Sequence, residues 1–532
     1  MAQYIFVTGG VFSSVGKGVA AGSIGKILQQ RNLSIAIQKL DPYINVDPGT
    51  LSPYQHGEVF VTHDGAETDL DLGHYERFLD INFKRSCSVT AGQIYANVIE
   101  KERKGDFLGG TIQVIPHITQ MIKNSIESAA SQMKADVLIV EIGGTVGDVE
   151  SAPFLEAIRQ MRFDYGNAST LFVHLTWLPY LKVTGELKTK PSQHSLRELR
   201  SVGIIPDVII ARSDHEIERH LCDKIAKFAS VPEKQIFPLQ TEVNPYRAPL
   251  LLEKNGLGDY LVGHLGLAEK ITEPDWTDWS KVLEDIEARY EKKITIALVG
   301  KYIELKDAYL SVKEALMHAA RQNKVELTIK WIHAEKVTDE NAQDLFAGCQ
   351  GILVPGGFGD RAIEGKIVAA HWARINKVPY LGLCLGLQVL CIELAREFID
   401  KSAHSIECDK LTKVPVVALM NEQKEVTDKG GTMRLGIYPC KLMPGSRASQ
   451  AYGAQKLIHE RHRHRFEFNN KYREQLKDVG LIISGESPDG SLVEIVELKN
   501  HPFMVASQFH PEFLSRPGKP HPLFNAFVAS TL

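Results

Sequence analysis

The chain has 532 residues, 44% hydrophobic and 24% charged, with a formal net charge of -4. It is too long for one ordinary core, and the near-balanced charge offers no electrostatic footing for nucleic acid or a membrane surface. The longest apolar runs, such as Val137–Val140 and Val414–Met420, fall well short of a bilayer span, and Met1 leads straight into strand-like Tyr4–Val7 without a secretion signal. Seven cysteines, an odd number without paired metal-type spacing, fit a reduced, cytoplasmic enzyme.

In chain order, Tyr4–Val7 reads as a strand, followed by a Gly-rich turn and a small-residue helix over Val19–Gln30. Further strands are expected at Ser34–Lys39, Val137–Ile142, Thr170–Thr176 and Asp207–Ala211. Strand, helix, strand at this spacing predicts a mainly parallel sheet covered by helices. From 271 to 293 the texture becomes acidic and aromatic, then places Val282, Leu283, Ile286 and Tyr290 at helical spacing, which predicts a linker with a connecting helix. A second alternating series follows, with strands at Ile294–Val299, Glu326–Ile332, Gly351–Val354 and Val378–Leu383 and a helix over 308–322. The expected fold class is therefore α/β with two doubly wound domains: 1–270, P-loop-like and mainly parallel, and 294–532.

Gly9–Gly18 lies between a strand and a helix. Successive N–H groups there can face one phosphate, with the helix N-terminus behind them and Lys17 adding a point charge. Five residues separate Gly10 from Gly16, and Gly18 stands where a P-loop has a Ser or Thr hydroxyl for the metal. Magnesium must then be held by carboxylates elsewhere. The candidates are Asp64, Glu67, Asp69 and Asp71, and Glu141 at the end of a buried strand; a solvated acidic loop over 64–71 stays open.

Gly382-Leu383-Cys384-Leu385-Gly386 follows an apolar strand and precedes a helix, a thiol version of the Gly-x-Ser-x-Gly elbow. Such a turn exposes the nucleophile at a helix N-terminus, where the dipole favours an anion. Upstream, Pro355-Gly356-Gly357-Phe358-Gly359 can present backbone N–H groups to an oxyanion. Near the C-terminus, His510 and Glu512 stand two apart, so in extended chain they share a side; Glu512 can fix the tautomer of His510 and His510 can act as base.

These three motifs together resemble the class I glutamine amidotransferases, with Cys384, His510 and Glu512 as triad. The first half resembles the amidoligase domain of the CTP synthase family, through Phe6–Gly18, Lys39–Gly49, Gln55–Phe60, Asp64–Arg77, Gln113–Thr119, Val140–Ser151 and Lys188–Gln193. That resemblance implies ATP-dependent amination of UTP to CTP through a 4-phosphorylated intermediate, with ammonia from glutamine passing through an internal tunnel. It implies an ATP site at Ser14, Val15, Gly16, Lys17, Gly18, Val19, Lys39 and Asp71, with adenine near Glu242 and Val243. It implies magnesium on Asp71 and Glu141. UTP, and the inhibitor CTP in part, would use Ser13, Asp148, Val149, Glu150, Lys188, Thr189, Lys190, Pro191, Ser192, Gln193 and Lys224. Glutamine would meet Gly357, Leu385, Gly386, Leu387, Gln388, Glu407 and Arg465, and GTP would activate its hydrolysis with Arg361 in the lid segment.

The residue chemistry suits these roles. Lys188, Lys190 and Lys224 offer charge to a triphosphate; Arg465 suits the α-carboxylate of glutamine and Glu407 its ammonium. An exposed basic strand is the plain alternative for Arg461–Arg465. The family resemblance also implies a homotetramer, with filaments open, and no nucleic-acid or membrane partner. Two rival readings remain: a glutamine-fed amidase acting on a cofactor carboxylate, and a filament-forming scaffold with vestigial sites. The intact Cys384, His510 and Glu512 speak against the second.

Overall fold

A computed structural model describes residues 2–420, 423 and 430–532. The chain divides into two compact units: Met1–Asp47 with His74–Ile286, and Pro48–Gly73 with Glu287–Leu532. Among the described residues no helix is long and apolar enough to cross a membrane.

The first unit is built on seven strands: β1 (Gln3–Gly9), β2 (Ile35–Asp41), β3 (Ser88–Thr90), β4 (Val137–Ile142), β5 (Thr170–Trp177), β6 (Val208–Ser213) and β7 (Ile236–Gln240). Their order is β7-β6-β5-β1-β4-β2-β3, every pair parallel. Every residue of β2 and β4 is buried, as is Tyr4–Gly9 of β1. This suits the apolar runs Tyr4–Val7, Ile35–Ile37 and Val137–Val140, since a parallel sheet is covered on both faces, while the buried polar residues Thr8, Gln38, Lys39, Asp41 and Glu141 fall toward the carboxyl ends of these strands. Two helices matter for the site: α1 (Lys17–Gln29), which follows β1, and α2 (Lys190–Ser201), which follows β5. β1 is central, and the chain leaves it toward β2 on one side and returns through β5 to the other. The loops after β1, β4 and β5 thus meet at a topological switch point, where open α/β sheets bind ligands. The expected connecting helix spans Thr277–Glu287 and stops before Tyr290. It docks on this unit through buried Trp279, whose Nε1 donates to Tyr246 O at 3.1 Å.

In the second unit the strands are β8 (Lys293–Gly300), β9 (Glu326–His333), β10 (Gly351–Val354), β11 (Tyr380–Leu383), β12 (Arg434–Leu442), β13 (Leu457–His464), β14 (Leu481–Glu486), β15 (Val493–Leu498) and β16 (Met504–Ser507). The order is β9-β8-β10-β11-β16-β15-β14-β12-β13. β9 through β16 in that order pair in parallel, and the remaining strands are antiparallel. The antiparallel half adds to the expected parallel core. Along β8, Ile296 and Leu298 join one apolar cluster with Leu316 and Phe527, while Ala297 and Val299 join another with Ile367 and Leu390. The two-residue period therefore fills a core on each face, and each fully buried Leu or Ile contributes roughly 1.5–3 kcal/mol.

Pro48–Gly73 belongs to this second unit although the chain on both sides of it, through Asp47 and from His74, lies in the first. Buried Glu67 pairs with Arg463 at 2.8 Å, and Arg463 also donates to Gly49 O at 3.0 Å. Phe60 stacks edge-on against Phe513 at 4.9 Å. Glu58 accepts from Ser311 N at 2.8 Å and from the Ser311 hydroxyl.

Candidate active site

In the second unit Cys384 follows β11 and caps the helix α3 (Leu385–Phe398). Its φ of 51° and ψ of -98° are strained for a residue with a side chain. Two glycines make the turn feasible. A Cβ on Gly382 would come within 2.6 Å of Gly386 O, and one on Gly386 within 2.3 Å of Val354 O. Cys384 N donates to Ser507 O at 2.7 Å, which anchors the turn to β16. The thiol is 2% exposed, with Gln508 Nε2 at 3.6 Å and Arg463 O at 3.7 Å.

His510 donates its backbone N–H to Arg461 O at 2.8 Å, and its Nδ1 lies 2.8 Å from Glu512 Oε1. The ring stacks on Phe513 at 5.2 Å. Burial works against a charge on this imidazole. The Glu512 carboxylate and the Cys384 sulfur outweigh it and push the group up to about 10. Cys384 and His510 flank one point of backbone: a Cβ on Gly356 would lie 3.6 Å from Cys384 Cβ and 2.8 Å from His510 Cε1. The glycine turn after β10 is thus brought against both the Cys384 and His510 side chains.

A cavity of about 690 Å³ opens here, lined by Gly356, Gly357, Phe358, Glu407, Arg463, Arg465, His510 and Glu512, and also by Gly49–Pro53. Glu407 accepts from Gly359 N at 2.6 Å, and burial raises its carboxyl above the usual range against the pull of that N–H. Arg465 donates to Gln423 Oε1 and to Thr432 Oγ1, both at 2.7 Å. Leu385, Gly386, Leu387 and Gln388 are buried in α3. Gln388 Nε2 donates to Phe466 O at 3.0 Å rather than lining the cavity. The alternative of an exposed basic strand at Arg461–Arg465 is overturned, because Arg461, His462 and His464 are 0–1% exposed. Arg434 joins them, donating to Glu494 at 2.8 Å. Beyond the turn, the Arg361 guanidinium lies over the Tyr54 and Tyr302 rings at 5.6 and 5.4 Å.

In the first unit Val11, Ser14 and Gly16 of the phosphate loop have φ of 79°, 63° and 94°. A Cβ on Gly16 would lie 1.8 Å from Arg212 Nη1, which donates to Val15 O at 2.6 Å. Lys17 Nζ donates to Gly144 O at 2.6 Å, and Val146 N donates to Gly9 O at 2.9 Å, so the β1 and β4 loops close on each other. Ser13 and Ser14 are exposed, while Gly18 and Val19 are half-buried. At the end of β4, Glu141 accepts from Lys39 at 3.1 Å and from the Tyr75 hydroxyl. Asp148 accepts from Thr145 N at 2.7 Å and is exposed, as are Val149 and Glu150. At the start of α2, Lys188 pairs with Glu186, Gln193 donates to Thr189 Oγ1 at 3.1 Å, and Ser192 donates to Trp177 O at 3.0 Å. Lys190 is exposed, Pro191 half-buried, and Lys224 exposed on the helix Arg219–Ala229. Glu242 is half-buried and Val243 fully exposed.

The other carboxylate candidates have roles of their own in the second unit. Glu67 is taken by Arg463, Asp64 accepts from Thr62 Oγ1 at 2.7 Å, and Asp69 accepts from Asp71 N at 3.3 Å. Among the described residues no group of three His, Cys, Asp or Glu side chains could by itself hold a metal. Several residues were invisible to motif reading. Gln508 touches the thiol; Arg212 braces the phosphate loop from the C-terminal end of β6; Lys366, fully buried, donates to Pro355 O at 3.3 Å. Of these, only Arg212 carried a signal, as a charged residue at the carboxyl end of a parallel strand.

Comparison with known proteins assigns both halves. Residues 3–267 match the family described as CTP synthase N-terminus, and residues 304–530 the family described as Glutamine amidotransferase class-I. A CTP synthase of Roseiflexus sp. (strain RS-1) is 60% identical over 532 residues, covering 100% of this chain and 95% of the relative. One from Bacillus subtilis (strain 168) is 54% identical over 533 residues, covering 100% and 99%. Among solved structures, the glutaminase domain of Trypanosoma brucei CTPS with bound acivicin is 38% identical, covers 45% of this chain and 93% of its own, and has a TM-score of 0.42. The chain belongs to the CTP synthase family of glutamine-dependent ligases.

Proposed function

We propose that this enzyme converts UTP to CTP with ATP and glutamine, and that Cys384, His510 and Glu512 supply the ammonia. The observation that carries the reading is the placement of Cys384 and His510 together against the open Cβ position of Gly356, with Glu512 on Nδ1 of His510. The Cys384 sulfur attacks the side-chain amide carbon of glutamine and forms a C–S bond. His510 gives its proton to the departing nitrogen, which leaves as ammonia, and later takes one from the water that cleaves the thioester to glutamate. N–H groups of Gly357 and Leu385 receive the tetrahedral oxygen, while Glu407 and Arg465 hold the amino-acid end.

In the first unit, ATP lies on Ser14–Val19 and Lys39, with adenine near Glu242 and Val243. Its terminal phosphoryl passes to O4 of UTP, leaving ADP. Ammonia attacks C4, phosphate departs with the oxygen, and loss of a proton gives CTP. Ser13, Asp148–Glu150, Lys188–Gln193 and Lys224 hold UTP, and CTP inhibits by sharing part of that site. Asp71 and Glu141 would hold magnesium, for which carboxylate oxygens are suitable ligands and which neutralises phosphate charge. GTP activates hydrolysis through the segment of Arg361, whose guanidinium lies within 5.6 Å of the Tyr54 and Tyr302 ring centres.

We take 1–270 as the synthetase domain, 271–293 as linker and connecting helix, and 294–532 as the glutaminase domain; the two matched ranges support this division, while the compact units differ from it in that Pro48–Gly73 packs in the second and the connecting helix in the first. Seven free cysteines support a reducing, cytoplasmic setting. A homotetramer is proposed from family membership alone. The deciding experiment is Cys384→Ala: glutamine-dependent CTP formation is abolished and ammonia-dependent formation persists. Loss of both in a folded, nucleotide-binding variant would overturn the two-site reading.

A further inference from the structure

Beneath the phosphate loop lies a closed chain of hydrogen bonds that no step above uses. Thr8 Oγ1 donates to Val173 O at 3.2 Å and lies 2.9 Å from His174 Nδ1, and His174 Nε2 lies 2.7 Å from Ser195 Oγ. All three side chains are buried. One nitrogen of the neutral imidazole carries the proton, so His174 donates at one end of this chain and accepts at the other. The chain therefore links Ser195 of α2, through a neutral imidazole, to Thr8 of β1 and the backbone of β5. Burial, with the Lys17 ammonium nearby, lowers His174 to about 3, so the ring stays neutral over the working range.

Ser195 is also what Gly10 rests on. A Cβ at Gly10 would fall 1.6 Å from Ser195 Oγ and 3.3 Å from His174 Nε2, and Gly10 N donates to Leu175 O at 3.1 Å. The first peptide of the loop is thus seated on β5 from one side and on α2 from the other. On α2, Ser195 stands one turn after Ser192, which is itself tied to Trp177 O. Two hydroxyls on one face fix the rotation of the helix whose first residues are Lys190–Gln193.

We infer that Ser195 and His174 are positioning residues that lock the phosphate loop to α2, so that one hydrogen-bond chain sets the geometry for both ATP and UTP. The inference rests on the reading above that the loop takes ATP and Lys188–Gln193 takes UTP. Neither residue touches a nucleotide in this scheme; each acts through Gly10 or through α2.

The test uses the full-length enzyme with ammonia as nitrogen donor. Ser195→Ala should raise KM for ATP and for UTP each by about fivefold, the size of one lost hydrogen bond. Glutamine hydrolysis should stay at the parent's value. His174→Asn should do the same, and the double variant should be no worse than either single one, because members of one chain are not additive. Should His174→Asn fail to fold, Ser195→Ala alone decides. A change in KM for only one nucleotide, no change for either, or additive losses would overturn the inference. If the parent neither binds UTP nor responds to Lys188→Ala and Lys190→Ala, the site assignment falls and takes the inference with it. Intact parent binding with an indifferent Ser195→Ala removes the inference alone.

Discussion

His510 shows how far a single side chain departs from its ordinary chemistry. An imidazole raised from 6.5 to about 10 favours the folded state wherever it holds a proton that the unfolded chain would release. That stabilisation is fully present below about 6.5 and is lost as pH climbs through about 10. Glu512→Gln removes the largest influence holding the proton. The stability gap between parent and variant should be widest near pH 6 and close toward pH 10, as read from urea midpoints across that range. Glutamine hydrolysis should fall by roughly 10²–10⁴, as when the orienting carboxylate of a triad is neutralised. An unchanged rate would mean that Glu512 does not orient His510. In the other unit, Lys17→Ala should abolish CTP formation and spare at least part of the hydrolysis, checked by assaying both on one preparation.

At the scale of elements, the turn between β11 and α3 depends on what is missing from its glycines. Gly386→Ala would push a methyl against Val354 O, backbone against backbone, costing roughly 1–3 kcal/mol and displacing Cys384. Hydrolysis should drop with ammonia-dependent synthesis retained; full hydrolysis would show that the turn tolerates the methyl. This element was legible in the sequence because strand, Gly-x-Cys-x-Gly and helix are contiguous. So were β4 and β10, whose bounds coincide with their apolar runs. The antiparallel strands β12–β15 were not. β13 buries Glu460, His462 and His464 on one face and Arg461 on the other, with Tyr452 and His521 on Glu460 and backbone carbonyls on Arg461 and His464, so neither buried face reads as apolar. His174 and Ser195 were hidden for a related reason: a histidine in an apolar strand and a serine in a helix mean little until the fold sets them 2.7 Å apart.

For the whole molecule, the decisive fact is that the second unit draws on two stretches of chain. Glu67 is fully buried as a side chain beside Arg463, and leaving that guanidinium without its carboxylate costs about 3–5 kcal/mol. Glu67→Ala should lower the urea midpoint at which glutamine hydrolysis is lost, and an unchanged midpoint would show the pair to be dispensable. No local pattern announced this arrangement. Asp64–Asp71 reads as metal ligands or a solvated loop, tipped toward metal by the glycine-rich loop, because the cation that claims Glu67 comes 396 residues later.

That separation also sets a schedule for biosynthesis. At translation rates of roughly 5–20 residues per second, the stretch carrying Phe60 and Glu67 leaves the ribosome roughly 20–80 s before Arg463 exists to receive it. For that interval an apolar aromatic and an acidic side chain meant for the interior have no destination, and the nascent chain must remain soluble around them. The second unit therefore closes its Glu67–Arg463 pair only after a further 396 residues have been made.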